Sequence, residues 1–106
     1  RYSGRFRGRM FDRDAAYHNG TAWPWLLGPF AEGLLRAGEF SESARAQARA
    51  ALAPALSRLD KDCLGTLAEV FDGDDTTAEP QEPGGCPAQA WSVAEVLRVS
   101  LLAWGA

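Results

Sequence analysis

"TAWPWLLGPFAEGLLRAG", Thr21 to Gly38, decides how this chain is read. Trp23, Leu26, Leu27, Phe30, Ala31 and Leu34 recur at three- and four-residue intervals, the spacing that gathers apolar side chains on one face of an α-helix. Thr21 is placed to cap its start and Gly38 to end it. Pro24 falls in the first turn, where a missing N–H costs little, whereas Pro29 falls further in and predicts a kink.

Downstream, Ser41 opens a second helical period with Ala44, Ala48, Leu52, Ala55, Leu56 and Leu59 as its buried stripe. Arg45, Arg49 and Arg58 lie off that stripe and are expected to point elsewhere. Its alanines let a neighbouring helix approach closely, and Pro54 predicts a local break. A third helix is expected from about Pro87, carrying Ala90, Trp91, Val93, Ala94, Leu97 and Leu101. Val96, Val99 and Leu102 widen its apolar surface beyond one face, so it demands neighbours on nearly all sides.

Between the second and third helices, Asp60 to Gly85 form a 26-residue stretch with one short apolar island, "LAEVF". Loops of that length in a compact domain usually bind, cover or catalyse. Upstream, Tyr2 to Asn19 mix glycine, arginine and aromatics without a period, which predicts an ordered loop and no helix. The fold class expected is all-α, with three or four helices joined by long loops.

At 106 residues, 46% hydrophobic and 24% charged, the chain has the composition of one globular domain. The charge is uneven: residues 1–13 hold five arginines and one acid, the remainder six bases and thirteen acids. The opening "RYSGRFRGRM" has the arginine, glycine and aromatic mixture of single-stranded nucleic-acid binders. The acidic remainder would repel a phosphate backbone, so no nucleic acid is expected as partner. Cys63 and Cys86 are too few for a disulfide framework and lack zinc-site spacing. No stretch reads as a membrane span or a secretory signal, which points to a cytoplasmic protein. Arginine at position 1 suggests a piece of something longer.

Four tryptophans exceed what a small core needs, and two of them stand in "AYHNGTAWPW" beside Tyr17, His18 and Asn19. His18 is the only histidine, so a metal site or a serine-type triad is improbable and a hydrogen-bonding role remains. Asn19-Gly20 suits a tight turn. Glu69, flanked by Leu67, Val70 and Phe71, is placed for the desolvation that a general acid or base needs; an exposed loop acid is the plainer reading. Asp72, Asp74 and Asp75 fail the calcium-loop pattern and read as a solvated acidic turn. No metal and no cofactor is called for.

Three blocks, "RDAAYHNGTAWPWLLGPF" from Arg13, "LAEVFDGD" from Leu67 and "GCPAQAWSVAEVL" from Gly85, resemble the C-terminal amylo-alpha-1,6-glucosidase domain of glycogen debranching enzymes. The resemblance runs from about Arg5 to Leu102. It implies an (α/α)6 barrel, six inner and six outer helices with the sugar site in loops at one end. Twelve helices of ~12 residues with connections of ~5 need about 200 residues, so residues 1–106 would be the C-terminal fragment of that barrel. The chemistry implied is inverting hydrolysis of the alpha-1,6-linked glucose at a branch point of glycogen or limit dextrin.

By the same resemblance Glu69 is the general base, with the general acid on the missing part, so the fragment alone is expected to be inactive. Tyr17, Trp23 and Trp91 resemble the walls of the glucose pocket, and His18, Asn19 and Gln89 groups that meet its hydroxyls. Trp25 and Trp104 are the weaker candidates and suit space-filling. The segment "DDTTAEPQEPGG" departs from the family in its acidity. The rest of the barrel, or a second copy, would cover the apolar flank. A non-catalytic carbohydrate-binding or interaction module using the same aromatics is the alternative.

Overall fold

Small residues govern how these helices meet. The computed structural model describes residues 1–105, arranged as α1 (Met10–Ala16), a single 3-10 turn (Pro24–Leu26), α2 (Leu27–Ala37), α3 (Glu42–Leu56), β1 (Val70–Phe71), β2 (Pro83–Gly84) and α4 (Ala90–Trp104). The chain is thus mostly helical, as the periodicity predicts. Helices α2, α3 and α4 pack around Ala31, Leu35, Ala48, Leu52, Ala55, Val96, Val99 and Ala103, with Leu67 from the long loop closing the cluster. Where α4 crosses the start of α2, a Cβ on Gly28 would collide with the Glu95 side chain, so only glycine permits that approach.

The second helix is read correctly in its cap and in the first four residues of its stripe, whereas Leu56 is only partly buried and Leu59 lies beyond the helix end. Ser41 Oγ accepts the Ala44 N–H at 3.3 Å, and Ala44, Ala48, Leu52 and Ala55 are buried. Pro54 lies in its last turn and the helix continues to Leu56. The arginines off the stripe are not idle. Arg45 donates to the Leu102 carbonyl and Arg49 to the Ala103 carbonyl at 3.0 Å, so two cations meet the carbonyl end of α4, where the helix dipole is negative. Arg58 lies over the Phe71 ring at 5.1 Å.

Four expectations need correction. Met10–Ala16 is helical although the segment has no period: Arg9 N–H donates to the Asp12 carboxylate at 3.0 Å, closing a cap, and only Ala16 is buried. A helix that buries one side chain leaves no apolar stripe to read. Thr21 caps nothing; its hydroxyl donates to the Tyr17 carbonyl, and the α-helix begins only at Leu27, after the 3-10 turn. Pro29 therefore stands not in the interior of α2 but in its first turn, where its absent N–H had no intrahelical partner to lose. The last helix starts at Ala90, three residues after Pro87.

Outside the core, α2 and α4 are tied by charge. Arg98 donates to Glu32 at 2.6 Å and to both oxygens of Glu95 at 3.0 and 2.9 Å, while Arg36 pairs with Glu32 from the next turn. Hydrogen bonds from Arg36, then Arg98, hold the Glu32 carboxyl below its usual range, and Arg98 does the same for Glu95. A depressed carboxylate pKa contributes stability at and above the ordinary value of about 4.5, lost as pH falls through the lowered value. The urea midpoint of the chain should therefore fall between about pH 5 and pH 3. Arg98→Ala should flatten that fall in part, since Arg36 remains on Glu32; parallel curves for the two proteins would show that the network carries none of it. No described helix is long and apolar enough to cross a membrane.

Candidate functional site

Glu69 is the residue immediately before β1, and the pairing of that strand fixes where its side chain can go. Val70 stands opposite Gly84 and Phe71 opposite Pro83 in an antiparallel pair, and Glu69 N–H donates to the Cys86 carbonyl at 2.8 Å. On the other edge of β1, Ala22 and Phe71 exchange backbone hydrogen bonds at 2.8 Å. The aromatic run before α2 is thereby stitched to the loop that carries the glutamate, although they are about fifty residues apart in the chain.

The Glu69 carboxylate is half-buried and held at both oxygens. Tyr17 O–H donates to Oε1, and the Cys86 backbone N–H donates to Oε2 at 2.9 Å. Gly85, at φ +68°, sits against it; a Cβ there would enter the space of the carboxylate. An ionised carboxylate has about four lone-pair directions, so two donors leave room for a water to hand over a proton. Accepting the Tyr17 hydrogen bond, the Glu69 charge pushes the Tyr17 hydroxyl above the usual phenol value, which keeps it a donor at neutral pH.

From Tyr17 the rings continue. Its centroid is 4.8 Å from Trp23, and Trp23 lies 6.2 Å from Trp91 in an edge-on arrangement. His18, exposed, stacks on Trp23 at 5.3 Å with the planes within 4° of parallel. Trp25 stacks on Trp91 at 5.6 Å, which puts this tryptophan in the cluster as well. Trp23 is fixed by its indole N–H, which reaches the Tyr17 carbonyl at 3.2 Å and Thr21 Oγ1 at 3.0 Å. Trp91 is 47% exposed.

The polar residues are less concentrated. Asn19 is exposed, its side-chain amide donating to the Ala15 carbonyl at 3.0 Å at the end of α1. Gln89 precedes the first turn of α4, and its backbone N–H bonds the Leu67 carbonyl at 2.9 Å, two residues before Glu69. Trp104 stands apart at the far end of α4, under the Arg49 guanidinium at 6.0 Å.

Three parts of this arrangement escape a reading by motif: Cys86 as a backbone donor, Phe6 as the ring behind Tyr17 at 5.7 Å, and the role of Asp72. Asp72 is no solvated turn residue. It is 3% exposed, accepts the Phe6 N–H at 2.7 Å and pairs with Arg5 at 3.1 Å. Arg5 also reaches the Glu79 and Pro80 carbonyls, Arg7 pairs with Glu79 at 2.9 Å, and Tyr2 O–H bonds Asp74. The basic front segment is thus a strap over the acidic loop. The one signal for it was the opposed charge of the two stretches.

A separate cleft of about 590 Å³ shares Trp23 with this cluster but is walled otherwise by Leu26, Phe30, Arg58, Phe71 and Gln81. Glu69 and Tyr17 do not line it. Its walls are mainly apolar, and the fixed carboxylate lies instead against Tyr17 of the ring cluster. Among the described residues no group of three His, Cys, Asp or Glu is placed to hold a metal ion. Both cysteines are free thiols.

Comparison with known proteins returns one family. No curated protein and no solved structure matches the chain. A family model described as amylo-alpha-1,6-glucosidase matches residues 1–98, a span that takes in the strap, the ring cluster, Glu69 and most of α4, and so the chain belongs to the amylo-alpha-1,6-glucosidase family.

Proposed function

We propose that this chain supplies the general base and part of the glucose pocket of an inverting alpha-1,6-glucosidase acting on branched alpha-glucan, glycogen or limit dextrin. The observation that carries the reading is Glu69, half-buried and fixed at both carboxylate oxygens, bonded to Tyr17, whose ring packs on Trp23 and through it reaches Trp91, in a member of this family. A free Glu69 lone pair takes a proton from water as the water oxygen bonds to the anomeric carbon. The bond from that carbon to the branch oxygen breaks on the opposite face, and the acid gives its proton to that oxygen. Glucose leaves as the β anomer. Trp91, 47% exposed, offers ring surface to the C–H side of the sugar with Trp23 packed edge-on against it, and His18, Asn19 and Gln89 offer hydrogen bonds to its hydroxyls.

Of the nearby acids, Asp72, Asp74 and Glu79 are bonded to Arg5, Tyr2 and Arg7. As membership of this family implies, we assign the general acid to another part of an (α/α)6 barrel of which residues 1–106 form the C-terminal piece. Supporting this, α4 exposes a second stripe of Leu97, Leu101 and Trp104, and the 3-10 turn and α2 expose Leu26 and Phe30 beside the 590 Å³ cleft. A helix apolar on two faces fits a position between two layers. Two free thiols suit a reducing, cytoplasmic setting.

The test is glucose release from limit dextrin, followed by NMR so that the first-formed anomer is seen. The full-length protein containing this chain should release β-glucose, and the isolated chain none. Release of α-glucose first would exclude inversion, and turnover by the isolated chain would place the acid within it.

A further inference from the structure

We infer that Tyr17 is a positioning residue for Glu69 rather than a wall of the sugar pocket, an inference that rests on Glu69 being the base. Its hydroxyl is spent on Glu69 Oε1 while the Cys86 N–H holds Oε2 at 2.9 Å. The two donors come from segments 52 residues upstream and 17 residues downstream, so turning the carboxylate about its terminal bond breaks one of them. The Tyr17 ring is itself packed on three sides, against Phe6 at 5.7 Å, His18 at 4.8 Å and Trp23 at 4.8 Å. A half-buried ring so surrounded has little face left for a sugar.

What holds Tyr17 is equally specific. Its carbonyl accepts from Thr21 Oγ1 at 2.7 Å and from the Trp23 indole at 3.2 Å. Phe6, behind the ring, is anchored by its N–H on Asp72 Oδ1 and rests on Gly84, where a Cβ would meet the phenyl ring. The path from the buried Arg5–Asp72 pair through Phe6 and Tyr17 to Glu69 is continuous. Its function is to set the direction of a carboxylate, an effect that belongs to turnover and not to ground-state affinity for glucan.

The experiment is a kinetic comparison of Tyr17→Phe, Tyr17→Ala, Glu69→Gln and the Tyr17→Phe/Glu69→Gln double variant in the full-length protein, on limit dextrin. Tyr17→Phe keeps the ring and removes the hydroxyl. It should lower kcat by about 10- to 100-fold with KM within about twofold, the cost of a misdirected group. Tyr17→Ala should lower kcat at least as much.

In the Glu69→Gln background, Tyr17→Phe should change the residual rate little, because a residue acting through another adds nothing once that other is gone. A raised KM with kcat retained would make Tyr17 a sugar contact and overturn the inference. So would an unchanged Tyr17→Phe enzyme, or an additive loss in the double variant. Should Tyr17→Phe loosen the fold, that loss would appear equally in both backgrounds, so the cycle still decides. Full activity in Glu69→Gln alone would instead remove the base assignment on which the inference rests.

Discussion

Glu69→Gln in the full-length protein containing this chain lowers kcat on limit dextrin by about 10³-fold and leaves KM nearly unchanged. A positioned base contributes about 10²- to 10⁴-fold, and an amide has no basic oxygen with which to take a proton from water at neutral pH. The replacement is close to isosteric. Tyr17 O–H can still donate to the amide oxygen, and the one conflict is an N–H facing the Cys86 N–H, worth about 1 kcal/mol. The melting temperature should therefore move by only a few degrees, which separates lost chemistry from lost fold. Retention of a tenth or more of the wild-type turnover would remove Glu69 from the base role. Loss of binding along with turnover would make it a sugar ligand instead.

The sequence announces what local chemistry decides. Ser41, the alanine stripe behind it and Gly38 could be read directly, because a cap, a period and a breaker each act within one or two turns. The same holds for the apolar island around Glu69. It fails where the deciding partner is distant or where nothing is buried. The helix at Met10–Ala16 has a cap but no stripe. A period that begins at Trp23 puts Pro29 in a helix interior, but the turn at Pro24–Leu26 is 3-10 and shifts the α-helical start.

The candidate site divides in the same way. Glu69, Trp23 and Trp91 were legible as residues, but the donor from Cys86 has no side-chain signature at all. Tyr17 was legible as an aromatic, and its hydroxyl is used on a carboxylate 52 residues away. Asp72 looked like one of three solvated acids because nothing in "FDGDD" states that Arg5 and the Phe6 N–H will close over it. Only the sign of charge at the two ends of that contact was visible.

That buried contact gives the largest expected effect on stability. Asp72→Ala should cost about 3 kcal/mol, the usual scale for removing one partner of a buried ion pair. Asp72 accepts from Phe6 N–H at 2.7 Å, from Arg5 at 3.1 Å and from Glu82 N–H at 3.4 Å, so three donors lose their acceptor at once. Arg5, only 17% exposed along its side chain, keeps its bonds to the Glu79 and Pro80 carbonyls and a longer 3.7 Å pairing with the Glu79 carboxylate that Arg7 also uses, so its charge is left only partly compensated where water is scarce. Asp72→Asn should cost about half as much, because a neutral oxygen still accepts but gives up the charge-assisted part of each bond. Urea unfolding of the chain measures both. With Phe6 released, the ring behind Tyr17 goes as well, so in the full-length protein Asp72→Ala should lower kcat even below its melting point. Arg5→Ala/Asp72→Ala should be less harmful than Asp72→Ala alone, since the stranded charge is then removed with its partner. If the double replacement proves additive instead, the strap is held by its backbone bonds alone and the ion pair merely accompanies it.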